Sequence, residues 1–255
     1  MPCVTVRGCR IGEGRPKVIL PIVEQDRTDI LARGRVFAGL EADCVEFRAD
    51  WFSGWRDADA LARCLTGLRQ AVGEKLLLVT LRTRPEGGQA DAAPKEYDDF
   101  CRRVCAGGCA DLLDIEFLPA GERLPGLIAA AHARGVAVVC SSHDFSGTPS
   151  CREMVDRLCA MQRAGADLPK LAVMPQSRRD LLALLAATAE MAEQHPATPV
   201  ITMSMGALGG ISRLCGEAMG SAMTFACAGK ASAPGQIELD VLNPVLDRLR
   251  LEPLP

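Results

Sequence analysis

The 255-residue chain is 48% hydrophobic and 24% charged, a globular composition in a chain long enough to bury a substantial core. A formal net charge of −3 and an aromatic content of 4% exclude the basic footprint and the stacking platforms of nucleic-acid-binding proteins. No apolar run reaches the length of a membrane span, and residues 1–4 do not open an apolar signal segment. We therefore expect neither nucleic acid nor a membrane among its partners.

A strand–turn–strand pattern comes first in the chain, over residues 4–15 around Arg7-Gly8-Cys9-Arg10. Eight short apolar runs rich in strand-forming residues follow, at positions 18–23, 44–48, 76–81, 112–117, 136–140, 168–173, 199–203 and 222–226. The runs are continuously apolar rather than alternating, which is typical of parallel strands covered on both faces.

Helical periodicity fills the intervals between these runs; Leu61, Leu65 and Leu68, for example, share one face of a helix. Strands alternating with helices over a chain of this length predict an α/β fold, a (β/α)8 TIM barrel. No linker, internal repeat or low-complexity tract divides the chain, so we predict a single barrel domain over residues 1–255. The N-terminal hairpin is expected to close the bottom of that barrel.

Twelve cysteines are scattered along the chain without a CxxC pair. Abundant unpaired thiols are typical of a reducing cytoplasm, which is where we expect the protein to reside. Cys101, Cys105 and Cys109 recur every four residues, on one face of a predicted helix. This triplet lacks the histidine or second cysteine pair of a metal site, so we interpret it as buried packing and expect no metal.

Polar residues near the strand ends are the candidates for chemistry, because catalytic groups of a (β/α)8 barrel lie at the C-terminal ends of its strands. Glu46 and Arg48 lie on one face of the second strand, either as an ion pair or as ligands of a substrate. Arg82 follows the third strand, and Asp114 and Glu116 share a face of the fourth.

Lys170 lies inside the apolar sixth run, where burial disfavours the ammonium form and frees an amine that can attack a ketone. The alternative is a lysine whose stem reaches solvent from a strand end. His143 directly follows the fifth strand, as a general acid/base or as a structural histidine. Together the two residues suit metal-free carbonyl chemistry through an imine. Arginines are available to attract an anionic carboxylate or phosphate, namely Arg48, Arg82 and Arg213.

Segments along nearly the whole chain resemble the type I 3-dehydroquinate dehydratase family. In chain order they are VEFRAD at 45–50, Arg82 with Glu86-Gly87-Gly88, LDIE at 113–116, SHDF at 142–145, PKLAVMP at 169–175, ITMSM at 201–205, ISR at 211–213 and KASAPGQI at 230–237. The resemblance implies the third step of the shikimate pathway, in aromatic amino-acid biosynthesis. In that step, syn elimination of water through a lysine Schiff base converts 3-dehydroquinate to 3-dehydroshikimate.

The resemblance also implies a site, matched position by position. Lys170 corresponds to the Schiff-base lysine, His143 to the general acid/base and Glu86 to the carboxylate that orients this histidine. The implied substrate-binding residues are Glu46, Arg48, Arg82, Met203, Met205, Arg213, Ser232 and Gln236, of which the two methionines form apolar walls. The loop at 230–237 would cover the substrate, although its composition also suits an ordinary barrel loop. The family implies a homodimer with no metal or organic cofactor and a small-molecule substrate.

Two segments depart from the family pattern. Pro21 stands where family members often have a serine that contacts the substrate, and residues 206–210 replace a polar, lysine-containing segment. Both departures concern substrate binding or loop movement, while the residues matched to the reaction are present.

Two rival interpretations stay open at this point. Another lysine-imine barrel, such as a class I aldolase or a transaldolase-like enzyme, would share the buried lysine. However, residues 232–236 lack the glycine-rich cradle of a phosphate site. A catalytically inactive barrel that binds a metabolite is the second rival, against which the presence of Lys170 and His143 argues.

Overall fold

The computed structural model describes residues 2–229 and 232–251. It opens with an antiparallel hairpin of β1 (Val4–Val6) and β2 (Cys9–Ile11). The intervening Arg7 and Gly8 have φ of 47° and 78°, the pair of left-handed residues that a tight two-residue hairpin turn requires. Ile11 is fully buried and packs with the apolar residues that line the lower barrel, so the hairpin closes the N-terminal end as predicted.

Eight parallel strands within the described residues form the barrel, and the first seven pair successively in sequence order. They are β3 (Lys17–Ile22), β4 (Cys44–Arg48), β5 (Leu76–Thr80), β6 (Leu112–Glu116), β7 (Ala137–Asp144), β8 (Leu168–Val173), β9 (Ile201–Ser204) and β10 (Met223–Cys227). β10 also pairs with β3, and a bridge between Val200 and Ser221 closes the ring on the other side of β10. A short β11 (Ile237–Glu238) pairs with β10. The predicted (β/α)8 barrel is confirmed.

Helices cover the outside of the sheet. They are α1 (Arg27–Ala38), α2 (Ala58–Val72), α3 (Pro94–Gly107), α4 (Phe117–Ala120), α5 (Leu124–His132), α6 (Cys151–Arg163), α7 (Arg178–Gln194), α8 (Gly210–Leu214), α9 (Gly216–Met219) and α10 (Leu239–Arg248). The predicted face of α2 is the buried one, since Leu61, Leu65 and Leu68 are each at most 2% exposed. In the described part of the chain, no helix has both the length and the apolar character needed to cross a membrane.

Two details differ from the sequence prediction. β7 continues four residues beyond the predicted end at Cys140, because its polar end pairs in register with β8 as far as Asp144 and Val173. His143 therefore lies within a strand rather than after one. Helix α3 ends at Gly107, so Cys109 lies beyond the helix and is half-buried, whereas Cys101 and Cys105 are buried on the helix as predicted.

The interior of the barrel changes from apolar to polar toward the C-terminal ends of the strands. Because alternate residues of a strand point to the same face, the inward row of each strand can be followed upward. On β6 the inward row runs from Leu112 through Asp114 to Glu116, and on β8 it passes from Leu168 to Lys170. A layer of buried charge therefore lies above an apolar plug, and this layer forms the floor of the barrel mouth.

Candidate active site

A pocket of about 500 Å³ opens at the C-terminal mouth of the barrel. Every site residue predicted from the sequence lines it: Glu46, Arg48, Arg82, Glu86, His143, Lys170, Met203, Met205, Arg213, Ser232 and Gln236. Phe145, Ala172 and Phe225 line the pocket as well and were not predicted. The inward row of β10 could have indicated Phe225, because Met223 and Phe225 alternate toward the barrel interior.

Lys170 lies near the centre of the pocket floor and is 4% exposed. Its Nζ lies 3.6 Å from Oδ2 of Asp114 and 4.4 Å from the centre of the Phe225 ring. Burial lowers the pKa of the Lys170 ammonium, Asp114 opposes this effect and the Arg82 guanidinium adds to it. The side chain does not reach solvent, so the structure contradicts the alternative of a surface lysine. Its environment favours release of a neutral, nucleophilic amine.

His143 is held by Glu86 through two contacts. Oε2 of Glu86 accepts a hydrogen bond from the backbone N–H of His143 at 2.6 Å and lies 2.9 Å from ring Nδ1. With the Nδ1 proton on this bond, Nε2 is left free to accept a proton. Burial, together with the positive charges of Arg82 and Lys170, lowers the pKa of His143 well below its usual value. The imidazole is therefore neutral at pH 7 and can act as a base.

Glu86 is buried beside this histidine, and burial raises its pKa from 4.5 to about 7, with Arg82 opposing the rise. At a pH between these two pKa values, Glu86 has lost its proton in the unfolded chain but still holds it in the folded protein. The contribution of Glu86 to the free energy of unfolding therefore falls as pH rises through this window. Relative to the wild type, Glu86→Gln should thus gain stability between about pH 5 and about pH 8.

Urea unfolding of the wild type and Glu86→Gln at about pH 5 and about pH 8 measures this difference in stability. The same substitution at exposed Glu122 provides the control, since that side chain lies outside the pocket. An equal stability difference at both pH values would contradict the raised pKa of Glu86.

Arg82 is the centre of a buried ionic network beneath the pocket. Its Nη2 lies 2.8 Å from Oδ2 of Asp114, and its Nη1 donates to Oε1 of Glu116 at 2.9 Å and to Oγ of Ser141 at 2.8 Å. Glu116 also accepts hydrogen bonds from the backbone and hydroxyl of Thr83. Arg82 therefore lines the pocket while its guanidinium is largely engaged with protein groups, an arrangement that the sequence did not reveal.

Glu46 and Arg48 do not pair with each other, although they share a face of β4. Oε1 of Glu46 accepts a hydrogen bond from Thr80 at 2.8 Å. Arg48 donates from Nε and Nη2 to the two carboxylate oxygens of Asp50, at 2.7 and 2.8 Å. This bidentate pair holds Arg48 at the pocket edge. Asp50 was not predicted, although its position two residues after Arg48 could have indicated the pairing.

Arg213 is a buried cation without an anionic partner in residues 2–229 and 232–251. It is 1% exposed, its Nη2 donates to the carbonyl of Pro234 at 3.3 Å, and its Nη1 lies 3.7 Å from the sulfur of Met203. Its Nε has no hydrogen-bond partner among these residues. Burial lowers the pKa of Arg213 to about 10. A guanidinium in this state favours an incoming carboxylate, which would satisfy both its charge and its N–H groups.

Ser232 and Gln236 belong to the loop that borders the pocket after β10. Nε2 of Gln236 donates to Oγ of Ser232 at 3.0 Å, and the Gly206 N–H donates to the carbonyl of Pro234 at 3.1 Å. Gly235, with φ of 75°, lies so close to Gly206 that a Cβ would come within 2.3 Å of its carbonyl oxygen. Lys230 and Ala231 of the predicted loop lie outside the described residues. The described part of the loop is docked onto the pocket rim.

The fold and the pocket define this chain as a (β/α)8 barrel with a buried lysine and an adjacent histidine at its mouth. Within the described ranges, no group of three or more histidine, cysteine, aspartate or glutamate residues is arranged to hold a metal ion. Residues 18–252 match the family model of type I 3-dehydroquinase. The chain belongs to the type I 3-dehydroquinase family.

Individual relatives cover nearly the full length of the chain. The 3-dehydroquinate dehydratase of Lactiplantibacillus plantarum is 44% identical over 98% of this chain and 99% of the relative. That of Salmonella typhimurium is 41% identical over 96% and 98%. A crystal structure of the type I enzyme from Clostridium difficile with covalent modified comenic acid superposes with a TM-score of 0.95, at 41% identity and 98% coverage of each chain.

Proposed function

We propose that this protein dehydrates 3-dehydroquinate to 3-dehydroshikimate, the third step of the shikimate pathway, through an imine on Lys170. The observation that carries the proposal is the buried lysine, beside a neutral histidine and an arginine that has no anionic partner among the described residues, in one pocket. The lysine supplies a nucleophile, the histidine a base and the arginine a site for the substrate carboxylate. Relatives of at least 40% identity bear the name of this activity.

Formation of the imine is the first stage of the reaction. The neutral amine of Lys170 adds to the ketone carbon, and the carbonyl oxygen takes up a proton to give a carbinolamine. Loss of that oxygen as water leaves a protonated C=N bond. His143 is placed to move the protons of this stage, because its ring lines the same pocket as Lys170.

Elimination follows because the protonated imine is an electron sink. His143 removes a C2 proton, and the electrons of the C–H bond move into the imine to give a neutral enamine. Return of electrons from the enamine nitrogen expels the C1 hydroxyl, which receives the proton from His143 and leaves as water. Proton removal and return by one side chain give a syn elimination. Hydrolysis of the product imine then releases 3-dehydroshikimate and restores Lys170.

The remaining pocket residues hold the ring during these steps. Arg213 would bind the substrate carboxylate with a bidentate fork, which fixes the ring orientation. Glu46 and Arg48 would contact substrate hydroxyls, and Ser232 and Gln236 would close over the ligand. Met203 and Met205 provide the apolar wall, at 5% and 2% exposure. We further propose that the protein acts as a cytoplasmic homodimer.

His143→Ala should retain imine formation but slow elimination and release, lowering kcat by roughly 10²–10⁴-fold. The assay follows the conjugated enone of the product by absorbance, and borohydride reduction measures the imine separately. His132→Ala is the matched control, because His132 pairs with Asp167 outside this pocket. An unchanged kcat in His143→Ala would exclude the acid/base role of this residue.

The direct test of the proposed activity is incubation of the purified protein with 3-dehydroquinate, with the product identified by NMR. Formation of 3-dehydroshikimate supports the proposal. Stabilisation of the folded protein by 3-dehydroquinate without turnover would instead favour a binding protein.

A further inference from the structure

We propose that Asp114 is the counter-ion of the Lys170 nitrogen, stabilising both the free ammonium and the protonated imine that replaces it. The inference deepens the proposed function and rests on it, because the imine is the intermediate of that reaction. Asp114 is 1% exposed, on the strand two positions from β8, and its Oδ2 lies 3.6 Å from Nζ of Lys170. It acts through the lysine and is therefore a positioning residue.

The Asp114 carboxylate is held in place from two directions. Its Oδ1 accepts a hydrogen bond from Oγ of Ser141 at 2.6 Å, and its Oδ2 lies 2.8 Å from Nη2 of Arg82. Oδ2 makes no hydrogen bond of good geometry within the described ranges, although it is fully buried. It therefore retains acceptor capacity beside the lysine nitrogen. The oxygen is placed where an N–H of an ammonium or iminium can use it.

The electrostatic balance at Lys170 makes this contact important. The charged or titratable groups around the amine are Glu46, Arg48, Arg82, Asp114 and His143. β9 and β10 contribute the apolar side chains of Met203 and Phe225. Burial lowers the pKa of Lys170, Asp114 is the largest opposing influence, and the two arginines add to the lowering.

The ammonium and the iminium differ in how they respond to this environment. The ammonium can escape burial by losing a proton to become the reactive amine, whereas elimination needs the nitrogen of the imine to be protonated. A fixed, buried negative charge at 3.6 Å favours the protonated imine strongly. Asp114 therefore supports the electron sink, while burial and the arginines keep part of the free lysine neutral.

Asp114→Asn tests the proposal, with Glu116→Gln as the matched control. Both substitutions remove one carboxylate partner of Arg82, but the Glu116 carboxylate makes no ion pair with Lys170 in the described ranges. Each full-length protein is equilibrated with 3-dehydroshikimate at alkaline pH, where the free lysine is neutral, and the imine is reduced with borohydride. Mass spectrometry is expected to show about tenfold less Lys170 adduct in Asp114→Asn than in the wild type, and nearly the wild-type amount in Glu116→Gln.

The pH profile of kcat/KM provides a second readout that a loss of packing would not move. Removing the carboxylate should lower the pKa of Lys170 and shift the acid limb of the profile to lower pH in Asp114→Asn. Thermal unfolding checks that the variant folds. If it does not, Ser141→Ala replaces it, because that change keeps the charge and removes the 2.6 Å bond that holds it. The Ser141 variant should then trap less adduct than the wild type.

The outcomes separate this inference from the proposed function. A wild-type protein that forms no adduct overturns the imine itself. If the wild type forms the adduct, and Asp114→Asn traps an equal fraction of it with an unmoved acid limb, the counter-ion role alone is overturned. An undiminished adduct in Ser141→Ala, if that variant is used, has the same consequence. An equal loss in Glu116→Gln would assign the effect to Arg82 and also overturn it.

Discussion

Lys170→Met is expected to lower kcat by at least about 10⁴-fold, because covalent catalysis has no substitute once the amine is gone. Methionine retains the length and the apolar stem of lysine, so the packing against Phe225 is largely kept. The substitution also removes the free-energy cost of burying the charged ammonium form. We therefore expect a folded protein that still binds the substrate and does not turn it over.

Steady-state turnover and calorimetric binding of 3-dehydroquinate check this result. Lys95→Met is the control, since it makes the same chemical change at an exposed position of α3. Turnover near the wild-type rate in the Lys170 variant would exclude the imine mechanism. Loss of activity in the Lys95 variant would show that the effect is not specific to the pocket.

Arg213→Met is expected to raise KM by roughly 10²–10³-fold while the protein keeps its stability. The guanidinium is buried and has no carboxylate partner among the described residues, so its charge is available to the substrate. Loss of a buried, hydrogen-bonded charge from a binding site costs about 2–5 kcal/mol. The free energy of unfolding should not fall by more than about 0.5 kcal/mol, because a desolvated and unpaired charge is removed with the side chain.

Arg48→Met is the informative comparison, because that arginine lines the same pocket but forks onto Asp50. Breaking this pair leaves a buried carboxylate unpaired and should cost about 3–5 kcal/mol of stability. Urea unfolding and KM are measured on both variants. A strong loss of stability in Arg213→Met with KM unchanged would contradict its assignment as the carboxylate site.

The fold could be predicted because parallel strands covered on both faces are continuously apolar. The predicted strand at 44–48 coincides with β4, and that at 168–173 with β8. Prediction failed at Ser141–Asp144 of β7, because four consecutive polar residues look like the start of a loop, whereas Glu46 and Arg48 of β4 alternate with apolar residues. Pairing with β8, a tertiary contact, decides where that strand ends.

The sequence predicted which residues line the candidate site better than it predicted which of them contact each other. Residue type and position indicated that Lys170 and His143 would meet, the family resemblance added Glu86, and all three line one pocket. Arg82 pairs with Asp114 and Glu116 of the neighbouring strand β6, and the sequence of one strand cannot reveal such partners. The sequence also left open whether Arg48 pairs with Glu46, and the structure places it on Asp50 instead.

The measurement that tests the central claim most directly is borohydride reduction of the protein in the presence of 3-dehydroquinate, followed by peptide mass spectrometry. We predict a reduced adduct on the peptide that contains Lys170, absent from Lys170→Met and present in Lys95→Met. A folded wild-type protein that receives verified substrate and forms no adduct, or forms it on another lysine, would contradict the account.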